Sequence, residues 1–300
     1  AAIAEKVNQI KQQTNDPKQQ LILALKFVQN DIRYMGIEIG SNSHFPAKAS
    51  ETINKRYGDC KDKSVILIAL LRALNIDSFA VLVNSQNGKA LDIKLPSAQL
   101  FNHAIVKAEL DEKVYWLDPT LLNQDATLEA LYQPDYGFGL VVKKGVNKLE
   151  SLKNSQSGST VRFEEYYDLS NGIEGPSSFK STIDLQGEKA RSLRARLDRN
   201  SITELSESYA SYYNNIFNGV DISQPLTVNH SPNNGITTIT EHYSLRSPWS
   251  LGDDDGYSIY FYESQISPYI SMPEGFGTRD ISLSHPLLIE GVITAKLRPQ

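Results

Sequence analysis

Three residue types, in one order, could carry nucleophilic chemistry in this chain. The single cysteine, Cys60, lies in Arg56-Tyr57-Gly58-Asp59-Cys60-Lys61-Asp62-Lys63. His103 follows 43 residues later in Phe101-Asn102-His103-Ala104-Ile105-Val106, and Asp118 another 15 on, in Tyr115-Trp116-Leu117-Asp118-Pro119-Thr120. A thiolate attacks a carbonyl carbon, a histidine takes and returns the proton, and a carboxylate fixes the histidine's tautomer and direction. Taken singly, each has a plainer reading. A free cysteine is among the most buried residue types, a histidine in a half-buried strand commonly serves as a hydrogen-bonded core residue, and Asp before Pro commonly ends a strand. Their order and local contexts together favour chemistry. One cysteine excludes an intramolecular disulfide and any metal site built from several thiolates. His44, His230, His242 and His285 have no comparable surroundings. His230 and His242 lack the i,i+4 helical spacing of a zinc pair, and no H-E-x-x-H occurs. Asp253-Asp254-Asp255-Gly256 reads as an acidic surface turn, because the twelfth position of an EF-hand loop counted from Asp253 is Ser264 rather than Glu. Neither a metal nor a cofactor is expected.

Local signals say how these residues would be placed. Asp59 is a good N-cap, Gly58 permits the tight turn before it, and Asp62 stands where an acidic side chain completes a capping box. The thiol would then sit in the first turn of a helix, where unpaired N–H groups and the helix dipole favour an anion and the backbone N–H of Cys60 can serve a developing oxyanion. Lys61 and Lys63 add positive potential that Asp59 and Asp62 partly offset. Val65, Ile66, Leu67, Ile68, Leu70, Leu71 and Leu74 leave this helix no broad polar face, so it belongs inside a domain. His103 lies in a strand-like run, Gln99 to Leu110, and a second strand covers Lys113 to Asp118. If Asp111-Glu112 is a two-residue turn, Asp118 faces Ile105, and His103 becomes its diagonal neighbour on the same face. A three-residue loop would put the two on opposite faces. Tyr34 and Asn42, upstream of the cysteine, are candidates for a second oxyanion donor or a substrate contact.

The remaining sequence divides in two. Ile3, Val7 and Ile10 mark one helix; Asp16-Pro17 opens a second with Leu21, Ile22, Leu25, Val28 and Ile32 as its buried stripe. Residues 36–50 read as loop, and Ser78–Val83 and Leu140–Val142 as further strands. Residues 151–157 begin a polar, Ser-rich stretch and form the linker between residues 1–150 and 158–300. Beyond it, short alternating runs (Val161–Tyr167, Phe179–Leu185, Thr237–Tyr243, Ser258–Tyr262, Gly291–Leu297) predict an antiparallel, β-sandwich-like domain, interrupted by one helix with Ile202, Leu205, Tyr209, Tyr212 and Ile216 at helical spacing. The tyrosines of this half read as buried faces of a helix and a strand.

The chain has 300 residues, 40% of them hydrophobic and 22% charged, which suits two globular domains and argues against disorder. Residues 1–150 carry 18 Lys and Arg against 17 Asp and Glu; residues 151–300 carry 12 against 18. With a net charge of -5 there is no cationic field of the kind that holds a phosphate backbone, so nucleic acid is not an expected partner. No run approaches the ~20 apolar residues of a membrane span. The chain begins with Ala rather than Met, the pattern of one from which a targeting peptide or an upstream domain has been removed. The sequence is silent on oligomeric state.

Gly58-Asp59-Cys60-Lys61-Asp62-Lys63-Ser64 opening an apolar helix, then Asn102-His103-Ala104, then Trp116-Leu117-Asp118-Pro119-Thr120, resembles the core of the transglutaminase-like superfamily, in its bacterial branch. Ile32-Arg33-Tyr34-Met35-Gly36-Ile37-Glu38 and Pro46 fit the same branch. The resemblance covers about residues 1–145. It implies an α+β fold with a papain-like core of helices packed on an antiparallel sheet, and a triad of Cys60 as nucleophile, His103 as base and acid, and Asp118 as orienter. It also implies acyl transfer from peptide or protein amides through a thioester, by hydrolysis or transamidation, in a bacterial periplasm or envelope. Acyl transfer from a thioester donor, as in arylamine acetyltransferases, uses the same triad order. The competing reading is a binding or scaffold module on a transglutaminase-like core that does no chemistry.

Overall fold

The apolar stripe at the start of the chain folds into two helices. In the computed structural model, which describes residues 2–36, 45–152, 158–252, 256–261, 265–266, 269 and 287–299, α1 spans Ala2–Gln13 and α2 spans Pro17–Asp31. Asp16 caps α2 by accepting from the Lys18 N–H, and Pro17 occupies the first turn, where a missing N–H leaves no bond unmade. A two-residue strand, β1 (Arg33–Tyr34), then pairs in parallel with β2 (Tyr57–Gly58). Between them lies α3 (Ala49–Lys55), which has no side-chain cap and ends on Arg56 in the left-handed region at φ 61°. Residues 36–50 read as loop in the sequence, and α3, which begins at Ala49, was not anticipated. At seven residues, α3 is too short to display a periodic apolar stripe.

Strand β2 leads directly into α4 (Cys60–Ala73). Ile66, Leu67, Leu70 and Leu71 of α4 are completely buried among α1, α2 and the sheet. Each such side chain stabilises the fold by roughly 1.5–3 kcal/mol. The sheet comprises β3 (Asp77–Val83), β4 (His103–Leu110), β5 (Lys113–Leu117), β6 (Phe138–Val141) and β7 (Glu150–Ser151), in the order β5-β4-β3-β6-β7 with every neighbour antiparallel. Asp111 and Glu112 form the two-residue turn between β4 and β5, both at positive φ (52° and 60°), which matches the twist of a tight hairpin. Val106 accordingly pairs with Leu117 and Lys107 with Trp116, the register that sets His103 diagonal to Asp118. Strand β4 starts at His103 rather than Gln99, because a short 3₁₀ turn, Ala98–Leu100, precedes it.

The chain divides into two units, Ala1–Ser157 and Gly158–Gln300. In the second, β8 (Ser159–Leu169) and β9 (Ser177–Gln186) are followed by helices α5 (Glu188–Leu197) and α6 (Ile202–Asn214). Strands β10 (Asn218–Ser231) and β11 (Ile236–Ser247), a small pair β12 (Ser250–Leu251) and β13 (Tyr257–Ser258), and β14 (Leu287–Leu297) complete it. The main sheet runs β10-β11-β9-β8-β14, and its last pair is parallel. The α+β class holds, but this unit differs from the sandwich with one helix. Two helices are present, and side chains of α5 and α6 (Leu193, Leu205, Tyr213) pack with Leu226, Ile239, Phe179 and Tyr243 of the sheet. Among the described residues, helices rather than a second large sheet supply the second layer.

Candidate active site

Cys60 is the first residue of α4, and the Asp59 cap behaves as the sequence suggests. Asp59 Oδ1 accepts from the N–H groups of Lys61 (3.1 Å) and Asp62 (3.2 Å), while Asp62 Oδ2 accepts from Asp59 N–H at 3.2 Å and Asp62 Oδ1 from Ala47 N–H at 2.8 Å. Lys61 Nζ pairs with the other Asp59 oxygen. Lys63 N–H bonds to the Asp59 carbonyl at 2.9 Å. The cap therefore engages the first-turn donors beyond Cys60, and no hydrogen bond among the described residues engages the Cys60 N–H. Gly58 is required by close approach: a Cβ there would lie 2.7 Å from Asp62 Cβ and 2.8 Å from Thr52 Cγ2. The thiol itself is half-buried.

His103 opens β4 and is tied to α4 by a bond from Ser64 Oγ to the Ala104 carbonyl, 3.1 Å. Its Nε2 donates to Asp118 Oδ2 at 2.8 Å. Nδ1 is the ring nitrogen not bound to the carboxylate, and the Cys60 thiol acts on the charge of the ring. Burial by itself would lower the His103 pKa, but the Asp118 carboxylate and the thiol outweigh it and hold the ring up at about 10. It is imidazolium at neutral pH.

Asp118 is the most fully engaged group of the three. Oδ2 also accepts from Tyr136 Oη (2.7 Å), and Oδ1 accepts from Thr120 N–H (2.8 Å) and Thr120 Oγ1 (2.6 Å). Its N–H donates to Gln133 Oε1 at 3.0 Å, and its carbonyl accepts from Gln29 Nε2 at 2.9 Å. Burial pushes its pKa up, but these donors and the His103 charge hold the carboxyl below the usual carboxylate range. The glutamines form a buried scaffold, with Gln29 Nε2 also donating to Gln124 Oε1 at 2.6 Å. Lys63, completely buried, donates to the carbonyls of Gln29 (3.2 Å) and Ile32 (2.6 Å) at the end of α2. Burial pushes Lys63 down to about 8, against the pull of the Asp118 charge.

The structure thus brings Cys60, His103 and Asp118 together. Tyr34 pairs with Gly58, beside the entry to α4, and is half exposed. Asn42, His44, Asp253–Asp255 and His285 lie outside the described residues. His230 bonds to Thr237 Oγ1 at 3.0 Å in the second unit, and among the described residues no group of three or more His, Cys, Asp or Glu could hold a metal ion. No helix of these residues is long and apolar enough to cross a membrane. Gln29, Gln133 and Tyr136 went unread in the sequence, and Lys63, read there only as a source of positive potential, is instead buried against the end of α2. Gln29 and Lys63 could have been found as polar residues on otherwise apolar helical faces; Gln133 and Tyr136 lie in an irregular stretch without a periodic signal.

Residues 4–117 match the model of the Transglutaminase-like superfamily. No curated protein matches the chain. Similar solved structures include a proposed cysteine protease from Cytophaga hutchinsonii, 22% identical over 34% of this chain and 31% of that one, with a TM-score of 0.27. A proposed protease from Parabacteroides distasonis is 10% identical over 82% of this chain and 52% of that one, TM-score 0.42. A TGase is 12% identical over 53% and 38%, TM-score 0.33. The chain therefore spans between about a third and about a half of the length of these proteins. Its first unit carries, in residues 4–117, a core that belongs to the transglutaminase-like superfamily.

Proposed function

We propose that the first unit is a cysteine-dependent acyl-transfer enzyme acting on peptide or protein amides, with Cys60 as nucleophile, His103 as acid and base and Asp118 as the group that orients it. The observation that carries this reading is the His103 ring held at Nε2 by a buried carboxylate, with the Cys60 thiol near enough to favour its charged form. The attacking form is the thiolate, with the His103 imidazolium as its partner. The sulfur forms a C–S bond to the amide carbon, and the oxygen that becomes negative is met by the uncommitted Cys60 N–H. Collapse breaks the C–N bond, and the His103 proton goes to the departing amine. Water or a primary amine then gives its proton to neutral His103, attacks the thioester and displaces the thiolate, yielding an acid or a new amide. Tyr34 remains a candidate for a second contact on the substrate or its oxyanion.

The half-buried rather than sealed thiol and its influence on the His103 charge favour chemistry over the scaffold reading. The second unit is proposed to position substrate or dock a partner, and the resemblance proposes a bacterial periplasm or envelope as the location. Mass spectrometry of peptide mixtures incubated with the protein and a primary amine tests the reaction. Shortened peptides mark hydrolysis and amine adducts mark transamidation. Either product should vanish with Cys60→Ala; products that persist in that variant refute the assignment.

A further inference from the structure

One side chain outside the three touches both His103 and Asp118. Tyr136 donates its hydroxyl to Asp118 Oδ2 at 2.7 Å, the same oxygen that accepts from His103 Nε2 at 2.8 Å. Its ring meets the imidazole edge-on, with centroids 5.7 Å apart and planes at 65°. Val81, Val83, Ile105 and Trp116 enclose it, so the shared oxygen is kept from bulk water. The chain here is irregular, yet the position of Tyr136 is built. A Cβ at Gly88 would fall 2.0 Å from the Tyr136 carbonyl oxygen, and Gly137 turns the chain at φ +70°, where a Cβ would come within 2.5 Å of the Lys89 α-carbon. Asp135 fastens the same turn, accepting from Gly137 N–H at 3.0 Å and facing Lys89 Nζ at 3.3 Å.

Building on the reading of Cys60, His103 and Asp118 as one catalytic set, we propose that Tyr136 is a positioning residue of that set: it braces the imidazole and, by sharing Asp118 Oδ2, limits how tightly the carboxylate holds the His103 proton. A carboxylate oxygen that already accepts a phenolic O–H has less charge to offer a second donor. Without the hydroxyl, Asp118 pulls harder on His103, and the imidazolium becomes a weaker acid toward a leaving amine. The other groups facing this pair are Cys60 from α4, Thr120 beyond β5, and Lys63, whose charge acts on Asp118 from α4. Tyr136→Phe removes none of them and keeps the ring contact.

The test is an NMR titration of the His103 ring in the full chain, which needs no known substrate. In Tyr136→Phe the midpoint should move to higher pH by roughly half a pH unit or more, given the strength of hydrogen bonds to charged groups. Gly88→Ala, which displaces Tyr136 through its backbone, should move it the same way. Tyr115→Phe removes a buried hydroxyl with no hydrogen-bond partner among the described residues and should leave the midpoint in place. An unchanged midpoint in folded Tyr136→Phe protein overturns the proposal, even if amide turnover depends on Cys60. A shifted midpoint without Cys60-dependent turnover upholds the electrostatic link and instead removes the catalytic reading on which its purpose rests.

Discussion

His103 is the residue on which the proposed chemistry turns, because both Asp118 and Cys60 act on its charge. Its charged form is favoured in the folded protein: the pKa is raised from the ordinary histidine value to about 10 by Asp118 and Cys60, despite burial. The sign follows directly. Stabilisation from the charged ring is complete below the ordinary histidine pKa and is lost as pH rises through about 10. Amide turnover should therefore hold across neutral pH and fall along an alkaline limb near pH 10, which a pH–rate profile measures. Asp118→Asn keeps the volume but loses the charge and the obligatory acceptor. Turnover should drop by roughly 10³–10⁴-fold while circular dichroism stays native. A fall of less than tenfold would mean that Asp118 does not orient the ring.

Elements set the residue geometry, and α4 is the main one. Asp59→Ala removes the acceptor for two first-turn N–H groups and should cost about 1 kcal/mol in chemical denaturation. In the second unit, Glu165, Ser181 and Glu241 stand opposite one another on three neighbouring strands. Burial raises Glu241 to about 7, the nearby Glu165 charge adds to this, and the bond from Tyr243 partly opposes it. A carboxyl that binds its proton more tightly when folded favours folding at acid pH. This contribution should diminish from the ordinary glutamate range up to about pH 7, and Glu241→Gln should flatten that dependence in denaturation curves at different pH. Strong local signals were legible at this scale: the Asp59 cap, the apolar face of α4 and the place of the Asp111-Glu112 turn, whose parity the sequence left open. Weak ones were not. Strand β10 lies at a sheet edge with register shifts around Gln224 and Thr227, and contains Pro225, so its residues do not alternate. Helix α5 is so rich in charged residues, mostly Arg, that only Ala190 and Leu193 are buried. Side chains that converge on Asp118 from Gln29, Gln133 and Tyr136 are distant in sequence, and only the closed fold brings them together.

At the scale of the whole molecule, the near-neutral first half holds the three candidate residues and the acidic second half contributes none of them. We propose that the two units are separate domains joined near residues 151–157. Limited trypsin digestion should cut first at Lys153 and release two fragments that resist further cleavage; early cuts scattered through both units would contradict that division. The central claim, that Cys60 and His103 act as one nucleophilic unit, is tested most directly by the rate at which iodoacetamide alkylates Cys60 at neutral pH in the wild-type chain and in His103→Ala, read by intact-protein mass spectrometry. Rapid, single-site alkylation of the wild type is expected, with a rate at least roughly tenfold lower without the imidazole, as follows when a base partner sets thiolate reactivity. Equal rates in the two proteins would contradict it.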